Sequence, residues 1–202
     1  MHKISRAIAK RCLYPPAQKE RPMLKPEECV LVIVDVQGKL AQIMDNSAKL
    51  HQQLSTLIQG AQLFEIPILW LEQLPAKLGS TTEELKTLLE RTGSPIAKQH
   101  FSGWYCDEFA NALTKSRRKQ VLLAGIETHV CVYQTCRDLL DQHYSVHLVA
   151  DAVSSRSVDN RQLGIQMMTA KGATLTNVES LLFELQHEAQ GDRFKALIKL
   201  IK

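Results

Sequence analysis

Val121-Leu122-Leu123-Ala124-Gly125-Ile126-Glu127-Thr128-His129-Val130-Cys131 reads as an aliphatic strand, a glycine turn and the opening of a helix. A strand that turns directly into a helix is half of a βαβ unit, and such units build parallel sheets. A thiol at Cys131 would stand at the positive end of that helix. Backbone N–H groups there favour thiolate over thiol and can hold an oxyanion. Free cysteine is also among the most buried residue types, so a small hydrophobe fits the same position. Position alone leaves both readings open.

On either side of this unit the same alternation recurs. Cys29 to Asp35 is a continuous β-branched run, as expected of a strand covered on both faces, and it ends in an acid. Ser47 has the chemistry of an N-cap for a helix to Phe64, and Pro67 to Leu71 is a second strand. Thr81 or Thr82 opens a short helix through Leu89, and Ile96 to Lys98 is a third, brief strand. Asp107 to Lys115 is helical, Val121 to Ala124 is the fourth strand, and a helix through Leu139 follows. Ser145 to Ala150 is the fifth strand, Asp159 to Lys171 a helix, and Gly172 to Thr176 the sixth strand. Helices through Leu181 to Leu185 and Phe194 to Ile201 complete the chain.

This pattern predicts an α/β, three-layer doubly wound (Rossmann-like) fold with a six-stranded parallel sheet. Ligands of such sheets bind beyond the carboxyl ends of the strands. Asp35, Glu72, Gln73, Lys98 and the turn Gly125 to Cys131 therefore belong on one rim. A nucleotide fold of this class needs a glycine-rich phosphate loop, and neither GxGxxG nor GxxxxGK[ST] occurs.

At 202 residues and 45% hydrophobic content the chain is sized for one domain with a sizeable core. We assign residues 24–202 to it and residues 1–23 to a basic N-terminal arm. The arm's charge bias also suits a targeting segment, but it has little Ser and no clear cleavage signal. With 25 basic and 21 acidic residues the net charge is +4 and the signs are interspersed, so nucleic acid is not an expected partner. No apolar run is long enough for a membrane span. Five cysteines, with no CxxC pair and no regular spacing, fit a reducing, cytoplasmic setting.

A carboxylate, an amine and a thiol on one rim suit cysteine-based hydrolysis. Asp35 can shuttle the thiol proton, Lys98 can stabilise both anions, and Cys131 can attack a carbonyl to give a thioester. The motifs Val32-Ile33-Val34-Asp35-Val36-Gln37, Ala97-Lys98-Gln99-His100-Phe101-Ser102 and Ala124 to Val132 resemble the isochorismatase-like cysteine hydrolase family. The likeness runs from about Cys29 to Phe183. Glu72-Gln73, Leu78 to Thr81 and Asp151 to Ser157 resemble its isochorismatase-domain-containing subgroup. The resemblance implies a catalytic triad of Asp35, Lys98 and Cys131, a cis peptide between Ile126 and Glu127, an oxyanion site at the Glu127 and Cys131 amides, and a homo-oligomer. An amide, imide or related C–N bond of a small molecule suits a cysteine nucleophile, with Cys131 expected as a thiolate held by Lys98.

Nicotinamidases of the family bind a metal through an Asp-x-His pair, and here that region reads Leu71-Glu72-Gln73-Leu74-Pro75. No metal and no cofactor are expected, since His100 and Glu72 are a thin ligand set. Gln37, Glu72, Gln73, Phe101, Trp104 and Arg156 are candidate substrate-pocket residues. Arg156 could clamp a substrate carboxylate or form a salt bridge at a subunit contact. His129 lies about 200° around a helix from Cys131 and suits a supporting or surface role. Cys136 reads as core. Leu181, Leu182, Leu185, Phe194, Leu197 and Ile201 are apolar positions expected to meet another subunit. A catalytically silent family member acting by binding or assembly is the alternative.

Overall fold

The computed structural model describes residues 23–202; the proposed basic arm lies, but for Met23, outside the described residues. In chain order the elements are β1 (Cys29–Val34), α1 (Gly38–Gln42), α2 (Ser47–Leu63), β2 (Ile68–Gln73), α3 (Pro75–Leu78), α4 (Glu83–Leu89), β3 (Ile96–Lys98) and α5 (Asp107–Ser116). Then come β4 (Gln120–Gly125), a π-helical turn at Thr128–Val132, α6 (Tyr133–Asp141), β5 (Ser145–Val153), α7 (Val158–Ala170), β6 (Thr174–Thr176), α8 (Val178–Gln186) and α9 (Gly191–Ile201).

All strand pairs are parallel, in the order β3-β2-β1-β4-β5-β6, so the six-stranded doubly wound sheet is as expected. Every residue of β1 is buried because its two faces meet different helix layers. Leu31 and Ile33 pack into the cluster that holds Leu54 and Leu57 of α2, Leu85 of α4 and Leu182 of α8. Val30, Val32 and Val34 pack into the opposite cluster, with Phe109 of α5, Leu139 of α6 and Met168 of α7. Each such buried aliphatic side chain contributes about 1.5–3 kcal/mol. The chain reverses its winding between β1 and β4, and the crevice at that reversal opens beside Asp35 and the turn after Gly125.

Three expectations are corrected, and the structure adds two short helices. Leu181, Leu182, Leu185 and Leu197 do not form a free face: they are buried in the α2-side cluster, where Leu182 lies against Gly60. Ser47 is not an N-cap; Asn46 holds that place with φ of 48°, and the Ser47 hydroxyl donates to the Ala41 carbonyl. The short helices α1 and α3 lack enough residues to display a 3.6-residue period. Strand β5 runs on to Val153, because a register irregularity opposite Leu123 to Gly125 lets pairing resume beyond Ala150.

Candidate active site

Three strand ends build the centre. Asp35 follows β1 with φ of 55°, a left-handed conformation that turns the chain sharply and points the carboxyl across the sheet edge. Lys98 ends β3, and its ammonium reaches over β2 to Asp35 Oδ2 at 2.7 Å. The two side chains are 0% and 3% exposed, so the pair is desolvated. Lys98 Nζ also lies 2.7 Å from Gln73 Oε1 and 3.2 Å from the carbonyls of His100 and Phe101. Gln73 in turn donates to the Gln99 carbonyl, and Gln37 Nε2 donates to the carbonyls of Gln73 and Gly79. The ammonium is thereby fixed by acceptors on every side, and Asp35 Oδ1 is left buried with no hydrogen bond.

Beyond β4, Gly125 has φ of 120°, and a Cβ there would sit 2.2 Å from the Val34 carbonyl oxygen. Only glycine fits. The peptide from Ile126 to Glu127 is cis. The turn is stitched to the loop after β5: Thr128 N–H donates to Ser154 O, Ser154 N–H to Gly125 O, and Arg156 Nε to Glu127 Oε1 at 2.8 Å. Gly164 of α7 backs the same turn so closely that a Cβ would stand 2.8 Å from His129 N and Thr128 O. The N–H groups of Val130 and Val132 both donate to the Glu127 carbonyl as the π turn opens toward α6.

Cys131 lies in this turn, 8% exposed, close enough to Asp35 and Lys98 for both to act on its ionisation. Burial pushes its thiol up to about 12, the Asp35 charge pushes the same way, and Lys98 only partly opposes them. The ammonium is engaged by Asp35, so Lys98 only partly offsets the burial and the Asp35 charge that disfavour a Cys131 thiolate. Burial also raises Asp35 above the ordinary carboxylate range, while the charge and hydrogen bond of Lys98 pull it back. Cys136 is core, and burial lifts it to about 12 as well.

Asp35, Cys131, Gln37, Gln73, Glu127, Phe101 and Arg156 share the lining of one cavity of about 250 Å³. Its remaining walls are Leu40, Leu78, Ile126 and Val130. Glu72 and Trp104 do not line it. Glu72 Oε1 accepts from both the amide and the hydroxyl of Thr81, which pins the loop after α3, and Trp104 packs against Tyr144 at the α5-side core. His100 contributes its carbonyl to Lys98 while its ring lies against Tyr105. Among the described residues no group of three or more His, Cys, Asp and Glu is gathered as metal ligands.

Arg156 pairs with Glu127 through Nε at the mouth of the cavity. His129 lies with Nδ1 3.1 Å from Ser155 Oγ and 3.8 Å from Glu127 Oε2, supporting the turn from behind. Leu40, Leu78 and Val130 escaped the sequence reading. The first two sit on one-turn helices without a readable period, whereas Val130 precedes the candidate nucleophile and could have been found from that adjacency.

An isochorismatase domain model matches residues 29–180. The secreted isochorismatase effector Isc1 of Phytophthora sojae is 38% identical over 190 residues, spanning 92% of this chain and 90% of that protein. Isochorismatase domain-containing protein 2 of Homo sapiens is 35% identical over 178 residues, 88% of this chain and 84% of the other. Among solved structures, the MAR1 ribonuclease of Caenorhabditis elegans superposes with a TM-score of 0.83 at 35% identity, covering 89% of this chain and 92% of that one. The YcaC gene product of Escherichia coli, described as an octameric hydrolase of unknown specificity, shares the fold with a TM-score of 0.84 at 22% identity, over 91% and 92%.

Proposed function

The chain belongs to the isochorismatase family, and from that premise we propose that it is a cysteine-dependent hydrolase of a small-molecule C–N bond of the amide or imide kind. The observation that carries this reading is the buried Lys98–Asp35 pair that leaves Asp35 Oδ1 free in the cavity that also holds the Cys131 thiol. As Cys131 Sγ bonds to the substrate carbonyl carbon, its proton passes to Asp35, and the carbonyl π pair moves to oxygen. We assign the amides of Glu127 and Cys131 to that oxyanion. Collapse breaks the C–N bond, and Asp35 returns the proton to the departing nitrogen. Water then attacks the thioester, giving its proton to Asp35, and the acid product leaves as the thiol regains that proton. Lys98 keeps the carboxylate anionic between transfers and balances its charge.

The fixed ammonium makes this a site for proton shuttling rather than for a standing thiolate, which agrees with a thiol held near 12. A homo-oligomer in a reducing, cytoplasmic compartment is part of the reading. Among the described residues no helix is long and apolar enough to cross a membrane. The name of the Phytophthora protein places that relative outside the cell, so location is to be measured separately. The ribonuclease name of the C. elegans protein makes RNA a necessary control, although a net charge of +4 with interspersed signs provides little phosphate-binding field.

The test is ammonia release from a panel of small amides by the wild type, Cys131→Ser and Asp35→Asn, with intact-mass detection of an acyl adduct in the wild type. Release that depends on both residues, with an adduct on Cys131, is expected. Undiminished turnover by Cys131→Ser refutes the covalent route, and silence toward every amide favours the binding or assembly alternative.

A further inference from the structure

Whatever enters the cavity meets a wall whose hydrogen-bonding groups are already almost all in use. Both N–H groups of Gln37 Nε2 are committed, to the carbonyls of Gln73 and Gly79, while Gln37 Oε1 accepts from the Gln73 amide at 2.7 Å. Gln73 gives Oε1 to Lys98 and one Nε2–H to Gln99 O. The three hydrogens of the Lys98 ammonium are divided among four oxygens. Glu127 faces Arg156 with both carboxylate oxygens, Oε1 accepting from Nε at 2.8 Å and Oε2 from the backbone amide at 3.4 Å. What is left for a ligand falls into two places. One is the reacting end, with Asp35 Oδ1, the Cys131 thiol and at most one N–H of Gln73. The other is the rim, where Arg156 is 59% exposed and its two terminal nitrogens carry no hydrogen bond among the described residues.

Between these two places the wall is aliphatic or aromatic: Leu40, Leu78, Phe101, Ile126 and Val130. A volume of about 250 Å³ is below the range of pockets that take drug-sized ligands. Of the cavity's charged groups, Asp35 is paired with Lys98 and Glu127 with Arg156, and Glu72 behind the wall is held by Thr81.

Resting on the hydrolase reading above, we propose that the substrate is a small carboxamide or imide with an apolar body, polar only at its reacting group and, where it is long enough, at an acceptor that reaches Arg156. A hydroxyl or amine carried on the middle of such a molecule would lose its water and find no partner in the wall.

Isobutyramide and lactamide form a matched pair, identical in shape apart from a methyl replaced by a hydroxyl. In the wild type, kcat/KM for isobutyramide should exceed that for lactamide by about a hundredfold, the scale on which an apolar pocket rejects an added hydroxyl. Val130→Thr keeps the side-chain shape and supplies a partner, and it should bring the ratio below about tenfold. Binding is read separately, as protection of Cys131 from iodoacetamide by each amide, located by peptide mass mapping. Equal or better use of lactamide, or equal protection by it, overturns the proposal. Preferential protection by isobutyramide without hydrolysis keeps the substrate class and overturns the hydrolase reading instead. Protection by neither amide overturns the substrate class.

Discussion

Lys98→Met keeps the side-chain stem and removes the charge, and its cost is set by what becomes of Asp35. In the variant the carboxyl, 3% exposed in its side chain, loses the ammonium 2.7 Å from Oδ2. Keeping it ionised and unpaired costs about 3–5 kcal/mol. Protonating it instead costs about 1.4 kcal/mol for each pH unit above an unfolded value near 3.9, hence about 4 kcal/mol at pH 7 and about 1.5 kcal/mol at pH 5. The cheaper route prevails, so the loss of stability should be at most about 3–4 kcal/mol at pH 7 and clearly smaller at pH 5. The direction follows from proton binding: Asp35 in the folded variant holds a proton that the unfolded chain releases, so stability falls as pH rises toward the folded pKa. Burial already raises Asp35 in the wild type and Lys98 pulls it back, so the two proteins diverge only above the wild-type value. Urea denaturation of both proteins across this pH range measures the gap. A gap that stays constant with pH, or is below about 1 kcal/mol at pH 7, refutes the account of a desolvated pair.

Cys131 alkylation by iodoacetamide should rise nearly tenfold per pH unit from neutrality upward, without a plateau, since the thiolate is a minor species far below a pKa of about 12; a plateau near neutrality would mean a resting thiolate. Because burial lifts Cys29 and Cys136 to about 12 as well, the modified residue must be identified by mass mapping. Gly164→Ala places a Cβ 2.8 Å from the backbone of Thr128 and His129, and should cost about 1–3 kcal/mol in stability and lower kcat by shifting the turn; thermal melting and turnover both unchanged would show that α7 does not set the turn. Leu182→Ala should cost about 2–5 kcal/mol as a core cavity; a variant of unchanged stability that merely dissociates in analytical ultracentrifugation would put Leu182 at a subunit contact.

The sheet was legible because its cause is local. Cys29 to Val34 and Val121 to Ala124 are apolar at consecutive positions, which only a strand buried on both faces explains, and the strand-end rule then placed Asp35, Lys98 and Cys131 together. What escaped depended on partners distant in sequence. The same leucines of α8 suit a subunit contact or a core, and only the position of α2 decides between them. Glu72 looked like a ligand-facing carboxylate until the Thr81 amide and hydroxyl were found to occupy it. A cysteine at a helix start reads as a thiolate in isolation, but the lysine that would stabilise the thiolate is already paired with Asp35 at 2.7 Å.

Lys98 belongs to β3, a three-residue strand at the edge of the sheet, and Asp35 follows the central strand β1 two places inward. Their ion pair thus crosses β2 and ties a short edge strand to the middle of the sheet. Edge segments with few backbone bonds open at lower free energy than the core. The proposed proton shuttle needs this edge docked, so activity should be lost on heating or in denaturant ahead of the cooperative melting of the molecule as a whole.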